Sequence, residues 1–247
     1  MKDLNGILLV DKPEGPTSHD VVDVVRRRFG VKKVGHAGTL DPAASGLLVL
    51  LIGSSTKESS LFSGEDKTYE GVMTLGIETD TGDREGKVVR QVTVGPIPAE
   101  KIKEVFQAFV GEQEQIPPLY SAIKVGGRKL YSLARKGLSV ERAARRITIR
   151  RLEIRKIEFP EIHFTVECSK GTYVRSLAED IGKSLGCPAT LSSLRRTGSG
   201  PFRIEEAIPF SLLLTLTTGT VLALATKLSP NGRERDTFPM GARTVPR

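Results

Sequence analysis

Residues 145–168 read RRITIRRLEIRKIEFPEIHFTVEC, and this stretch sets the fold class. β-Branched and aromatic residues alternate with charged ones, the period of a half-buried strand. Ile147 and Ile149 share one phase, Leu152 and Ile154 slip by one residue, and Ile157 and Phe159 slip back. Two bulges or bends reconcile these slips with one long, curved strand. On its N-terminal side, SAIKVGGRKLY (121–131) predicts a hairpin with Gly126-Gly127 at the tip. GILLV (6–10), LLVLLIG (47–53) and KTYEGVMTLG (67–76) predict further strands, and ATLSSLRRTGSGPF (189–202) a final strand and turn.

Helices are fewer. HDVVDVVRRRF (19–29) follows Thr17 or Ser18 as cap and stops at Gly30; PAEKIKEVFQAFVG (98–111) buries Ile102, Val105, Phe106 and Phe109; YVRSLAEDIGKSL (173–185) stops at Gly186. Strands outnumber helices and do not alternate strictly with them. The expected class is α+β, with a mixed, largely antiparallel sheet and flanking helices rather than a doubly wound sheet.

The 247 residues suit one large domain with a small appendage. Two cysteines, Cys168 and Cys187, make no disulfide framework, and the N-terminus MKDLNGILLV is not a secretory signal, so a cytoplasmic location is expected. His19, His36 and His163 lie too far apart for metal-ligand spacing, and no metal is predicted. The net charge of +8 is uneven: residues 120–156 hold twelve Lys/Arg against two acids. Such an excess either forms a solvated face or meets a polyanion, whose condensed counterions it releases. Ala207 to Thr226 carries no charged side chain, but Pro209, Gly219 and five threonines favour a docked segment over a membrane helix. Residues 229–247 read as a tail.

The loop GHAGTLDPAASG (35–46) poses the chemical question, since its turn-forming backbone surrounds one carboxylate, Asp41. GVKKVGH has the glycines of a P-loop but His36 in place of the lysine, GSGPF lacks the third glycine of a dinucleotide fingerprint, and neither G-x-S-x-G nor H-E-x-x-H occurs. Asp41-Pro42 is then either a turn whose Asp bonds nearby backbone N–H groups or a catalytic group held beside buried strands.

The resemblance decides between these. LLVDKPEGPTSHDVV, GHAGTLDPAASGLL, GSSTK, DKTYEGVMTLG, QIPPLYSAIKVGGRKLYSLARKG and CSKGTYVRSLAEDIG, in order from about Gly6 to Phe202, closely resemble the bacterial tRNA pseudouridine synthase B family. The resemblance implies an enzyme that converts one T-loop uridine of tRNA, conventionally nucleotide 55, to pseudouridine without a cofactor. It aligns Asp41 with the catalytic aspartate, Arg175 with the arginine that pairs with it, Tyr69 with the tyrosine that stacks on the base, and His36 with a histidine that holds the refolded T-loop. Tyr173 stands beside Arg175 at a strand-to-helix junction, and Lys12 with Pro13 shapes the cleft floor. In the family, an insertion at about 120–150 closes on the T-arm, which gives the basic window a use: Lys124, Arg128, Lys129, Arg135 and Arg142 are expected to contact RNA.

The expected organisation is a catalytic domain over 1–206, insertion included, and a diverged segment over 207–247 in which the family's usual C-terminal RNA-binding extension is not recognisable. Weaker tRNA binding follows as an expectation. The expected partner is the T-arm of tRNA, with no membrane and no protein partner, and the chain a monomer. Two other readings stand beside this one: an RNA-binding or RNA-folding protein whose activity is lost or secondary, and a sister synthase acting on guide-selected RNA.

Overall fold

The computed structural model describes residues 5–121, 123–125, 127–130, 141–217 and 219–221. Strand β1 (Gly6–Lys12) is followed by helix α1 (Ser18–Phe29), β2 (Val34–His36) and β3 (Ala44–Ile52). A short helix α2 (Ser59–Ser63) leads to β4 (Lys67–Leu75), and β5 (Ile77–Thr79) pairs with β6 (Val88–Gln91) in a separate ribbon. Helix α3 (Ala99–Ala108) precedes β7 (Gly111–Gln115), the two-residue strands β8 (Lys124–Val125) and β9 (Arg128–Lys129), then β10 (Arg145–Glu158) and β11 (Glu161–Cys168). Helix α4 (Val174–Leu185), β12 (Ala189–Ser199), β13 (Phe202–Arg203), β14 (Ile208–Pro209) and helix α5 (Phe210–Leu213) follow.

The stretch from Arg145 to Cys168 is two antiparallel strands, β10 and β11, and not one long strand. Pro160 supplies no N–H to a ladder, so the chain turns there. The two slips in alternation are real and local: the β10–β11 register shifts between Ile149 and Arg151 and again between Ile154 and Lys156. Each shift returns the apolar side chains to the covered face.

One ten-stranded sheet runs β14-β1-β3-β12-β4-β11-β10-β7, with β13 beside β12 and β2 beside β3. Pairing is antiparallel except for β1 with β14 and β3 with β12. Strand β3 is apolar without alternation because both its faces are covered. Leu48 and Leu50 join Val21 and Val25 of α1 on one side, while Leu47, Val49 and Leu51 join Phe62 and Phe202 on the other. Farther along the sheet, Phe106 of α3 meets Phe164 of β11 edge-on, and Ile181 of α4 is buried in the same core.

Helix α1 begins at a reciprocal cap: Thr17 Oγ1 accepts from the Asp20 N–H, and the Asp20 carboxylate accepts from the Thr17 N–H. It ends at Gly30 in the left-handed region, φ 65°. Ile208, Leu213 and Val221 are buried, so the uncharged segment is docked as far as residue 221. Residues 222–247 lie outside the described residues. Among the described residues no helix is long and apolar enough to cross a membrane.

Candidate active site

The loop between β2 and β3 carries Asp41, and its neighbours fix it by backbone bonds. Ser18 Oγ, at the start of α1, donates to the Leu40 carbonyl at 2.9 Å and accepts from the Leu40 N–H at 2.8 Å. The Gly15 N–H donates to the Pro42 carbonyl at 2.9 Å, and the Ala44 N–H to the Asp41 carbonyl at 3.1 Å. The glycines and proline of this loop let it turn within this cage while the Asp41 side chain stays 43% exposed.

Arg175 lies in the first turn of α4 and is 6% exposed. Its helix is oriented by Gln115 of β7, whose amide accepts from the Tyr173 N–H at 2.8 Å and donates to the Tyr173 carbonyl at 3.0 Å. Arg175 Nη2 stands 2.9 Å from Asp41 Oδ2 and donates to the Tyr120 carbonyl at 2.9 Å. Nη1 donates to the Thr81 carbonyl at 2.9 Å and lies 3.5 Å from Asp83 Oδ2. A planar fork can serve four acceptors in fixed directions, which an ammonium cannot. Asp41, Asp83, Arg175, Ala44, Leu191 and Leu194 line the cleft beside the carboxylate.

Tyr69, on β4, is buried, and burial pushes its phenol up from the ordinary tyrosine value while the adjacent Arg196 opposes that shift. The negative charge of Asp41 is close enough to act in the same direction as burial. Tyr173 behaves similarly: burial raises its phenol, and Asp41 adds to the shift. Asp41 is paired with Arg175, and its charge reaches both Tyr69 and Tyr173. His36, at the end of β2, is held below the usual histidine value, first by burial and then by Arg196, so its imidazole is neutral near pH 7. Its Nδ1 is buried without a hydrogen-bond partner among the described residues. Lys12 is buried, and its Nζ donates to the carbonyls of Pro13 at 2.8 Å and Pro16 at 2.9 Å. Burial lowers it to about 8. It braces the loop after β1.

The basic window is only partly visible. Strands β8 and β9 form the expected hairpin, with Lys124 opposite Lys129 and Val125 opposite Arg128. Arg142 is exposed, and its Nη1 donates to the Pro117 carbonyl at 2.9 Å. Arg135 lies outside the described residues, as do the side chains of Lys124, Arg128 and Lys129.

Sequence reasoning missed three residues of this site. Asp83 was hidden in a stretch that reads as a turn, TDTGDREG (79–86). Lys67, at the start of β4, donates to the carbonyls of Phe62 and Glu65. Arg196 is 1% exposed in the middle of β12. A signal for it existed: Arg195 and Arg196 are adjacent in a strand, so one of them must face inward. Arg195 takes the outer face and pairs with Asp11 at 3.0 and 2.7 Å.

With this geometry in hand, likeness to known proteins is informative. Residues 26–174 match the N-terminal domain of the TruB family pseudouridylate synthases. Residues 175–219 match the tRNA pseudouridylate synthase B C-terminal domain, which begins with α4 and runs past β14. The chain is 50% identical to the tRNA pseudouridine synthase B of Syntrophotalea carbinolica over 205 residues, 83% of this chain and 67% of that one. It is 46% identical to that of Opitutus terrae over 215 residues, 87% of this chain and 89% of the other. Among solved structures, a Cbf5-Nop10-Gar1 complex matches with a TM-score of 0.66 and 34% identity, over 84% of this chain. This chain spans 52% of that solved chain, about half its length. Family match, identity and fold agree: the chain belongs to the TruB family of pseudouridylate synthases.

Proposed function

We propose that this protein isomerises a uridine in the T-loop of tRNA to pseudouridine, with Asp41 as the reacting carboxylate. The observation that carries the reading is the 2.9 Å pair between Asp41 and the otherwise buried Arg175, with the buried Tyr69 within reach of the Asp41 charge. The reaction breaks the C1′–N1 bond of uridine and forms a C1′–C5 bond in the same nucleotide; C5 loses a proton and N1 gains one. Atoms and electrons balance within the nucleotide. The base must leave its stack to be re-attached, so the nucleotide is everted into the cleft.

Each residue then has a role. Asp41 acts as nucleophile or promotes glycosidic cleavage and takes part in moving the proton. Arg175 aims the carboxylate. Tyr69 offers the flat surface for the uracil. Neutral His36 meets the refolded T-loop, Tyr173 lines the entry, and Lys12 shapes the floor. Lys124, Arg128, Lys129, Arg135 and Arg142 hold phosphates of the T-arm, which positions the RNA while loop shape selects the uridine. The enzyme is taken to act as a monomer in the cytoplasm, without a protein partner, on a catalytic domain of residues 1–206.

The test is incubation with an unmodified T-arm hairpin and with whole tRNA, followed by mapping of pseudouridine. Product at the T-loop uridine is expected from the wild type. The Asp41→Asn variant should give none and still bind tRNA within about twofold of wild type, since the carboxylate serves the chemistry and not the phosphate contacts. Absence of product from both RNAs with wild-type protein would refute the reading and favour a binding protein.

A further inference from the structure

Besides Arg175, three cations lie buried around the Asp41 loop: Lys12, Lys67 and Arg196. The two lysines are used by carbonyls of their own neighbouring loops. Arg196 reaches farther. Its Nε donates to the Leu47 carbonyl at 2.7 Å, Nη2 to Gly38 at 3.2 Å and Nη1 to Thr39 at 3.4 Å. Gly38 and Thr39 stand three and two residues before Asp41. Across the β4–β12 ladder Arg196 faces Tyr69, and the phenol lies beside the guanidinium.

Among the described residues no carboxylate stands within ion-pair distance of Arg196. A buried cation without a counter-ion is costly, and an apolar residue would fill the same space at lower cost. Packing alone therefore does not account for an arginine here. The backbone is also built for it. Strands β3 and β12 run parallel with Gly46 opposite Arg196, and a Cβ at Gly46 would meet the Arg196 backbone, its N at 2.7 Å. Only glycine at 46 lets β12 come close enough to slide this guanidinium beneath the loop.

We propose that Arg196 is a positioning residue for the reaction: by bonding the Gly38 and Thr39 carbonyls while lying against Tyr69, it holds the Asp41 loop in register with the tyrosine that receives the base. The inference rests on the reading of Asp41 and Tyr69 given above. Arg175 aims the carboxylate itself; Arg196 sets where the loop bearing it stands relative to the stacking surface. Neither Lys12 nor Lys67 duplicates the bridge, because each is bonded within its own loop.

The test uses Arg196→Lys and Arg196→Gln in the full chain, with four readouts: thermal unfolding, tRNA affinity, single-turnover rate on the T-arm hairpin, and amide hydrogen exchange across residues 36–41. Both variants should fold, and tRNA affinity should stay within about twofold, because phosphate contacts lie elsewhere. The rate should fall about 100-fold, the effect of a displacement of roughly 1 Å at the reacting group. Exchange of the Ala37–Asp41 amides should quicken about tenfold or more while that of β1 stays unchanged. A folded variant with near wild-type rate, or with unchanged exchange in this loop, overturns the proposal. Loss of fold in both variants overturns it as well, by making Arg196 a stability residue. If the wild type yields no pseudouridine, the functional reading fails instead, and the exchange data judge the clamp on their own.

Discussion

Replacing Arg175 with lysine should lower both stability and rate, through different contacts. Asp41 is 43% exposed, so its ion pair with Arg175 adds little to folding, about 0–1 kcal/mol. The buried side of the guanidinium matters more: it serves the Thr81 and Tyr120 carbonyls, each at 2.9 Å, and lies 3.5 Å from Asp83, which is itself 11% exposed. One ammonium that stays with Asp41 abandons both carbonyls. Leaving a buried acceptor unsatisfied costs about 1–3 kcal/mol, so two carbonyls give a loss of about 2–4 kcal/mol after partial relaxation. For a chain of this size that is a fall in Tm of roughly 5–15 °C. The rate should fall about 100-fold because the carboxylate is no longer held by a rigid fork. Differential scanning calorimetry and single-turnover pseudouridine formation read the two effects separately. An Arg175→Lys enzyme that melts with the wild type and turns over at a similar rate would refute the four-contact account.

Stability should depend on alkaline pH in a way set by buried cations. Burial holds Lys12 and Lys67 down to about 8, against 10.5 in the unfolded chain, so between those values the unfolded state binds more protons and stability rises with pH. Cys168, pushed up to about 12 chiefly by burial, works the other way above its unfolded value of 9.0, because there the unfolded thiol loses its proton first. The urea midpoint should therefore rise between pH 8 and 9 and rise less steeply above 9; a decline between 8 and 9 would contradict the burial of the lysines. Gly46→Ala should destabilise by about 3 kcal/mol or more, from positive φ plus collision with the Arg196 backbone. Gly30→Ala, with positive φ but nothing within 4 Å, should cost only about 1–2 kcal/mol, and equal costs in chemical denaturation would remove the clash from the explanation. Exchanging Lys124, Arg128 and Lys129 together for alanine should reduce the slope of log affinity against log salt by about 2–3, as expected when three phosphate contacts are lost. An unchanged slope would take those residues off the RNA.

Much of the fold is legible because the relevant forces are local. Thr17 and Gly30 bound α1 through bonds that reach no farther than one helical turn. The slips at Ile149 and Ile154 show as breaks in alternation because a bulge shifts side chains by one position. Pro160 was the overlooked mark in that stretch: an apparently continuous strand is a hairpin. Of the site, Asp41, Tyr69 and Arg175 could be named from matching motifs. Asp83 could not, since an Asp in a glycine-rich turn looks alike whether it faces water or an arginine 92 residues away in the chain.

The sequence by itself determined the α+β class, the helix ends, the loop that carries Asp41 and the family to which the chain belongs. Its periodicities report which face of an element is covered, but not by what. Only the tertiary structure decided that β12 lies between β3 and β4, in parallel with one and antiparallel with the other. That order places Arg196 under the Asp41 loop and against Tyr69, and it sets Arg175 between two aspartates from separate loops. A buried guanidinium takes its meaning from the acceptors the fold brings to it, and those acceptors come from segments that no local pattern connects.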